Sequence, residues 1–223
     1  MGKLIVLEGT DGSGKSTQFH LLTQRLEAEG VAFRKLVFPQ YSEPSSALIR
    51  MYLNGEFGRH PGDVNAYAAT AFYAVDRYAS FQKVWRKEYE AGGLILSDRY
   101  TTSNAVHQGS KLAPPQRRAF FQWLGEEFEC DRLGLPRPDL VIYLDVPTDL
   151  TEVMLRKRER DTHTRGDIHE QDLHYLRLCR ETGQEAAAYF HWHIISCDRE
   201  GALRPISEIH QDIYNLVQTC LKE

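Results

Sequence analysis

The stretch from Leu4 to Thr17, LIVLEGTDGSGKST, decides the fold. An apolar run ends at Glu8, and the pattern Gly9-x-x-x-x-Gly14-Lys15-Ser16 follows at once. A continuous Ile/Val/Leu run reads as a strand covered on both faces. Gly9 and Gly14 permit backbone geometry that side chains would obstruct, so successive N–H groups can turn inward around phosphate oxygens. Lys15 can reach the outer phosphates, and the Ser16 hydroxyl is placed for Mg²⁺. A helix starting at Lys15 adds its positive end. Gly9, Thr10, Asp11, Gly12, Ser13, Gly14, Lys15, Ser16 and Thr17 are therefore expected to hold a nucleoside triphosphate. Asp11 is the anomaly, because a carboxylate cannot face phosphate without repulsion. It is read as accepting a hydrogen bond from a sugar hydroxyl, with a loop-stabilising Asx turn as the alternative.

Working outward, four further apolar stretches read as buried strands: 33–38, 94–97, 140–145 and 193–197. Segments with helical spacing lie between and after the strands, at 15–29, 44–53, 64–91, 114–126, 150–160, 170–189 and 206–221. This alternation predicts an α/β fold, a doubly wound five-stranded parallel sheet flanked by helices. The chain has 223 residues with no low-complexity linker, repeat or abrupt change of composition, so residues 1–223 are expected to form one domain.

Composition narrows the function. A net charge of -4 argues against a protein that coats nucleic acid. No apolar run reaches membrane-helix length, and no export signal precedes the first strand. Cys130, Cys179, Cys197 and Cys220 are widely spaced, as expected of reduced thiols in a cytoplasmic protein rather than of a zinc site or disulfide framework.

A second constellation is LILSDRYTTSNAVHQ. Its strand ends at Asp98, where strand carboxyl ends open onto a ligand crevice. Asp98 would join Ser16 in the Mg²⁺ shell, and Arg99 could clamp phosphate in a fork of N–H donors. Together with LEGTDGSGKSTQ, FPQ, YAVDR and PDLVIYLDV, in that order, this chain resembles the thymidylate kinases, P-loop nucleoside monophosphate kinases. The resemblance runs from Leu4 to about Asp198. It implies a P-loop kinase fold and Mg²⁺-dependent transfer of the γ-phosphoryl group of ATP to dTMP.

Carried over by resemblance, Asp11 meets the acceptor's 3′-hydroxyl, Arg77 reads a thymine carbonyl, and Tyr73 stacks on the base, with Phe72 as the neighbouring candidate. Asn104 matches a base-reading Asn, and His107 stands where an aromatic side chain lies near the sugar 2′ carbon. Phe38 and Pro39 match the start of the acceptor phosphate segment, but Val37 and Tyr41 occupy the places of its usual arginines. Arg99, with Arg50 on the following helix, is then expected to hold the acceptor phosphate.

Residues around 156–170 carry Arg156, Lys157, Arg158, Arg160 and Arg165, a basic lid of the kind that closes over transferring phosphate. Arg156 and Arg160, at i, i+4 spacing, are the natural pair, and Arg165 stands in for the arginine missing from Asp167-Ile168-His169-Glu170. With Lys15 and Arg99 these complete the expected catalytic set. The altered acceptor segment leaves open another pyrimidine nucleotide, or a nucleoside with Glu8 as base. A nucleotide-binding regulatory protein is the alternative of another class. Family members commonly pair, and YAATAFYAV offers an apolar face for a homodimer.

Overall fold

The computed structural model describes residues 1–162 and 166–222. The first strand, β1 (Lys3–Gly9), is the centre of the sheet, and α1 (Lys15–Ala28) leaves from its phosphate loop. Chain order continues through β2 (Arg34–Val37), a short turn of helix at Pro44–Ser46, and α2 (Ala47–Leu53). A long helical segment follows: α3 (Ala66–Ser80), a π-helical turn Phe81–Trp85 and α4 (Arg86–Glu90). Next come β3 (Leu94–Asp98), α5 (Thr102–His107), α6 (Pro114–Gln122) and a π-helical continuation, Trp123–Arg132. The remainder is β4 (Leu140–Asp145), α7 (Thr148–Thr162), α8 (Leu173–Phe190), β5 (His193–Ser196), a hairpin of β6 (Asp198–Arg199) and β7 (Ala202–Leu203), and α9 (Ile206–Lys222).

The main sheet is parallel, in the order β2-β3-β1-β4-β5, as the strand-helix alternation predicts. Alternate residues of each strand face opposite sides, so two cores form. Ile5, Leu7, Leu96, Ile142 and Leu144 pack with Phe19, Leu22 and Leu26 of α1 and with Ile209, Ile213 and Val217 of α9. On the other face Leu4, Val6, Ile95 and Val141 pack with Phe81, Trp85 and Tyr100. Each large apolar side chain so buried contributes about 1.5–3 kcal/mol.

The register sets the functional edge. Leu7 and Val37 each lie beside Asp98, and Gly9 lies beside Leu144. The phosphate loop, Asp98 and the Phe38-Pro39 segment therefore leave the sheet together at its carboxyl edge. Four elements depart from the sequence expectation. The predicted helix at 170–189 starts at Leu173, because the Asp172 carboxylate caps it by accepting from the Tyr175 N–H at 2.9 Å. The helix at 114–126 runs on to Arg132 as π-helix, whose i→i+5 hydrogen bonding departs from the 3.6-residue period and hides the apolar spacing. The helix at 64–91 likewise contains a π-helical turn. The short α5 has no periodic signal and was not anticipated. Among the described residues, no helix is long and apolar enough to cross a membrane.

Candidate active site

The loop has the geometry its glycines allow. Gly12 and Gly14 sit at φ 75° and 80°, the left-handed region that favours glycine. A Cβ on Gly12 would lie 2.8 Å from the Thr151 methyl, so this glycine also lets α7 pack over the loop. Lys15 folds back to donate to the carbonyls of Gly9 and Thr10 at 2.8 and 2.7 Å. Burial first, and then the Arg99 charge, push its amine down to about 8.

Two cavities meet at this edge. The outer one, about 380 Å³, is lined by Asp11 through Thr17, by Asp98 and Arg99, and by Met154, Leu155 and Arg158 of α7. The inner one, about 60 Å³, is lined by Tyr73, Arg77, Asn104, His107 and Gln108, with Asp167 and His169 from the segment after α7. Asp11, Phe38, Pro39, Tyr41 and Arg99 line both.

Arg99 is the residue at the junction. It adopts φ 66°, a strained backbone for a non-glycine residue, costing of the order of 1–3 kcal/mol. Its amide continues the sheet to the Leu7 carbonyl at 3.1 Å, and the Ser97 hydroxyl donates to its carbonyl at 2.6 Å. The guanidinium pairs with Asp11 and lies 3.4 Å from Glu8. This resolves the Asp11 anomaly. Burial would raise that carboxyl, but Arg99, with Lys15, outweighs burial and holds it well below the usual range. Glu8 is fully buried, and its oxygens accept from Thr102 and Ser103 at 2.7 Å each and from the Gly9 N–H at 3.0 Å. So committed, Glu8 has no lone pair left for the base role considered for a nucleoside acceptor.

The inner cavity brings together Asp11, Tyr73, Arg77, Arg99, Asn104 and His107 from the predicted acceptor set, with Phe38 and Pro39 at its mouth. Phe72 is instead turned away, 5.7 Å from the Phe57 ring, because one residue along α3 changes the face. Arg50 does not line the cavity either. Its Nη1 donates to the carbonyls of Tyr41 and Glu43 and to the Ser46 hydroxyl, at 2.7, 3.1 and 2.6 Å, bracing the 41–46 loop.

The lid pair is displaced by one helical face. Arg156 pairs with Glu152, Arg160 donates to the Arg156 carbonyl, and both line a dent on the outside of α7 with Val153 and Glu159. Arg158 faces the loop cavity and pairs with Glu170. Arg165 falls outside the described residues.

Several functional candidates had no sequence signal of their own. Glu129, in the π-helical stretch, holds Arg77 through both oxygens at 2.6 and 2.7 Å. Gln108 lines the inner cavity with its side-chain carbonyl oxygen buried and without a hydrogen-bond partner among the described residues. His169 stacks on His107 with ring centroids 5.7 Å apart, and its Nε2 lies 2.8 Å from the Tyr52 hydroxyl. Burial, reinforced by the Lys111 and Arg99 charges, lowers His169 to about 3. Burial raises Asp167, with Asp11 adding to it, to about 7. Asp11, His107 and His169 offer ligand atoms within 4.8 Å of one another, but the Arg99 guanidinium already sits against two of the three.

Fold and site define a phosphotransferase of the P-loop class, with a triphosphate cavity and an acceptor cavity meeting at one arginine. Within that class, the chain belongs to the thymidylate kinase family, whose model matches residues 7–213. Among its relatives, the thymidylate kinase of Mycobacterium tuberculosis (strain H37Rv) is 31% identical over 189 residues, spanning 83% of this chain and 86% of that protein. A probable thymidylate kinase of Thermococcus kodakarensis is 31% identical, spanning 98% of each chain. The thymidylate kinase of Synechococcus sp. (strain CC9311) is 28% identical, spanning 98% of this chain and 97% of that protein.

Proposed function

We propose that this protein transfers the γ-phosphoryl group of ATP to dTMP, giving dTDP and ADP, by direct in-line displacement. The observation that carries the reading is the shared wall. Asp11, Phe38, Pro39, Tyr41 and Arg99 line both cavities, so a donor phosphate in one and an acceptor phosphate in the other would meet at the Arg99 guanidinium. Lys15, Arg99 and Arg158 supply positive charge where it spreads over the transferring oxygens. Lys15 and Arg99 are fixed by the loop and the sheet, whereas Arg158 comes with α7. No general base is required, because a phosphate monoester oxygen is already anionic at neutral pH. The inner cavity is small beside the roughly 300 Å³ or more of ordinary small-molecule sites. The acceptor therefore enters by parting the wall that Tyr41, Asp167 and His169 complete.

The residues present fit Mg²⁺. The Asp98 carboxylate is 6% exposed, accepts no hydrogen bond among the described residues, and shares the loop cavity with the Ser16 hydroxyl. Two hard oxygen donors of this kind suit that ion, which would neutralise phosphate charge when bound. Desolvation raises the Asp98 carboxyl, as expected for an acid that lacks its counter-ion.

We assign the working unit to one domain over residues 1–223, with the lid around 156–170, in the cytoplasm. Four free cysteines support a reducing compartment. A second copy is the partner assigned to the outer face of α3, where Tyr67, Val75 and Tyr78 are exposed.

The test is ADP release with ATP and Mg²⁺, offering dTMP, dUMP, UMP, CMP and thymidine separately. Preference for dTMP is expected. Preference for thymidine would overturn the acceptor assignment. No stimulation by any of them would leave a nucleotide-binding protein without transfer activity.

A further inference from the structure

Glu129 is one of the most enclosed charges in the molecule, at 0% exposure. Its Oε2 accepts from Arg77 Nε at 2.7 Å, and its Oε1 accepts from Arg77 Nη2 at 2.6 Å and from Asn104 Nδ2 at 2.8 Å. The Asn104 amide nitrogen also donates to the Thr70 carbonyl at 3.3 Å. Both neighbours of that nitrogen are pure acceptors, so chemistry fixes which end of the amide is which. The nitrogen faces Glu129 and Thr70. The Asn104 carbonyl oxygen makes no hydrogen bond among the described residues, and Asn104 lines the inner cavity. Arg77 lines it too, and of its guanidinium nitrogens only Nη1 is left without a partner there.

What the pair offers a base is therefore one acceptor and one donor, side by side. A keto pyrimidine presents the complement, N3–H beside a carbonyl oxygen. Cytosine presents the reverse, an unprotonated N3 beside an amino group. Against cytosine the Asn104 carbonyl would meet a lone pair and the Arg77 N–H would meet another N–H. Rejection by mismatched buried polar groups is far stronger than rejection by shape.

We propose that Glu129 is the positioning residue that sets pyrimidine selectivity: by taking the Asn104 amide nitrogen and two nitrogens of Arg77, it leaves this cavity able to read only a base with N3–H next to a carbonyl. The inference rests on reading the inner cavity as the monophosphate acceptor site. It assigns the selectivity to a residue that touches no substrate and stands 52 positions from Arg77 in the chain.

The variant that tests it is Glu129→Gln. The amide introduced at 129 puts an N–H where Arg77 or Asn104 needs an acceptor. Asn104 then turns over, or Arg77 loses its fork, and either change frees the lock. The measurement is kcat/KM for dTMP and dCMP, with ATP binding followed separately by calorimetry. The ratio of dTMP to dCMP is expected to fall by roughly 10²-fold while ATP affinity stays within about twofold. A merely structural role for Glu129 would lower both substrates together and leave their ratio unchanged. An unchanged ratio in Glu129→Gln overturns the proposal.

A second measurement needs no variant. The unaltered protein is offered dTMP and N3-methyl-dTMP, in which a methyl group replaces the proton that the Asn104 carbonyl is assigned to accept. Loss of roughly 10²-fold or more in kcat/KM is expected, and equal use of the two overturns the proposal even if Glu129→Gln does not fold. Failure of the underlying function is distinguishable: a protein that binds ATP but phosphorylates neither dTMP nor dCMP refutes the kinase reading first.

Discussion

Arg99 Nη1 lies 3.0 Å from His107 Nε2. A guanidinium has only N–H to give, so the His107 Nε2 must carry the lone pair and its proton sits on Nδ1, 3.6 Å from the Cys179 sulfur. His107 is thereby kept neutral, and burial holds it well below its ordinary range.

The consequence for stability has a definite sign. His107 and His169 are harder to protonate folded than unfolded, so the unfolded chain binds more protons below about 6.5. The two histidines' contribution to stability is full above that pH and falls as the pH drops through it, by about 1.4 kcal/mol per unit for each histidine. Asp167, pushed up to about 7 by burial, takes up a proton in the same window and offsets one of the two. Urea unfolding between pH 7 and 5 is expected to show a net loss. In His169→Gln, with one histidine removed, the slope should nearly vanish, and an unchanged slope would exclude His169 as its source.

Lys15 gives an opposite dependence, in binding rather than in folding. Its amine, pushed down to about 8 by burial ahead of the Arg99 charge, is protonated only below that value in the free protein. ATP affinity is expected to weaken above pH 8, approaching tenfold per unit, as the cation that meets the phosphates is lost. Calorimetric titration from pH 6.5 to 9.5 reads this, and Lys15→Met should abolish the dependence along with most of the affinity.

On α7 the expectation is a contrast between neighbours. Arg158→Ala should lower kcat by roughly 10²-fold or more, as removal of a charge on the transferring phosphoryl does. Arg156→Ala and Arg160→Ala, on the outer side, should stay within about threefold. Steady-state kcat for the three variants decides the matter, and equal losses would show that α7 rotates on closure.

Arg77 cannot be tested by simple truncation. Arg77→Ala leaves the Glu129 carboxylate buried without its partner, a loss of about 3–5 kcal/mol of stability. A rise in acceptor KM in that variant would mix unfolding with lost base contact. Arg77→Ala/Glu129→Ala should recover part of the stability without restoring acceptor affinity, measured by urea unfolding and by dTMP titration on the same samples.

These contrasts mark where reading the chain succeeds and where it stops. The phosphate loop was legible because all its parts lie within nine consecutive residues, Gly9 to Thr17, and act through their own backbone. The sheet was legible because continuous apolar runs are a local property. Phe72 and Tyr73 could not be separated, since adjacent helix positions differ by 100° and only packing selects the one that faces the cavity. Arg156, Arg158 and Arg160 posed the same difficulty on α7. The i, i+4 pair was the obvious choice, and the residue between its members is the one that faces the loop. Glu129 was invisible because a π-helical stretch breaks the 3.6-residue period from which burial is inferred.

The sequence by itself determined the order of the parts: a strand, a phosphate loop, a helix, and a carboxylate-arginine pair at the end of β3, enough to fix the class of chemistry. Only the tertiary structure decided which side chains converge. Asp11 and Arg99 are 88 residues apart, Arg77 and Glu129 are 52 apart, and His107 and Cys179 are 72 apart. Contacts across such separations depend on how the helices pack against the sheet, and packing is set by the whole core rather than by any one segment.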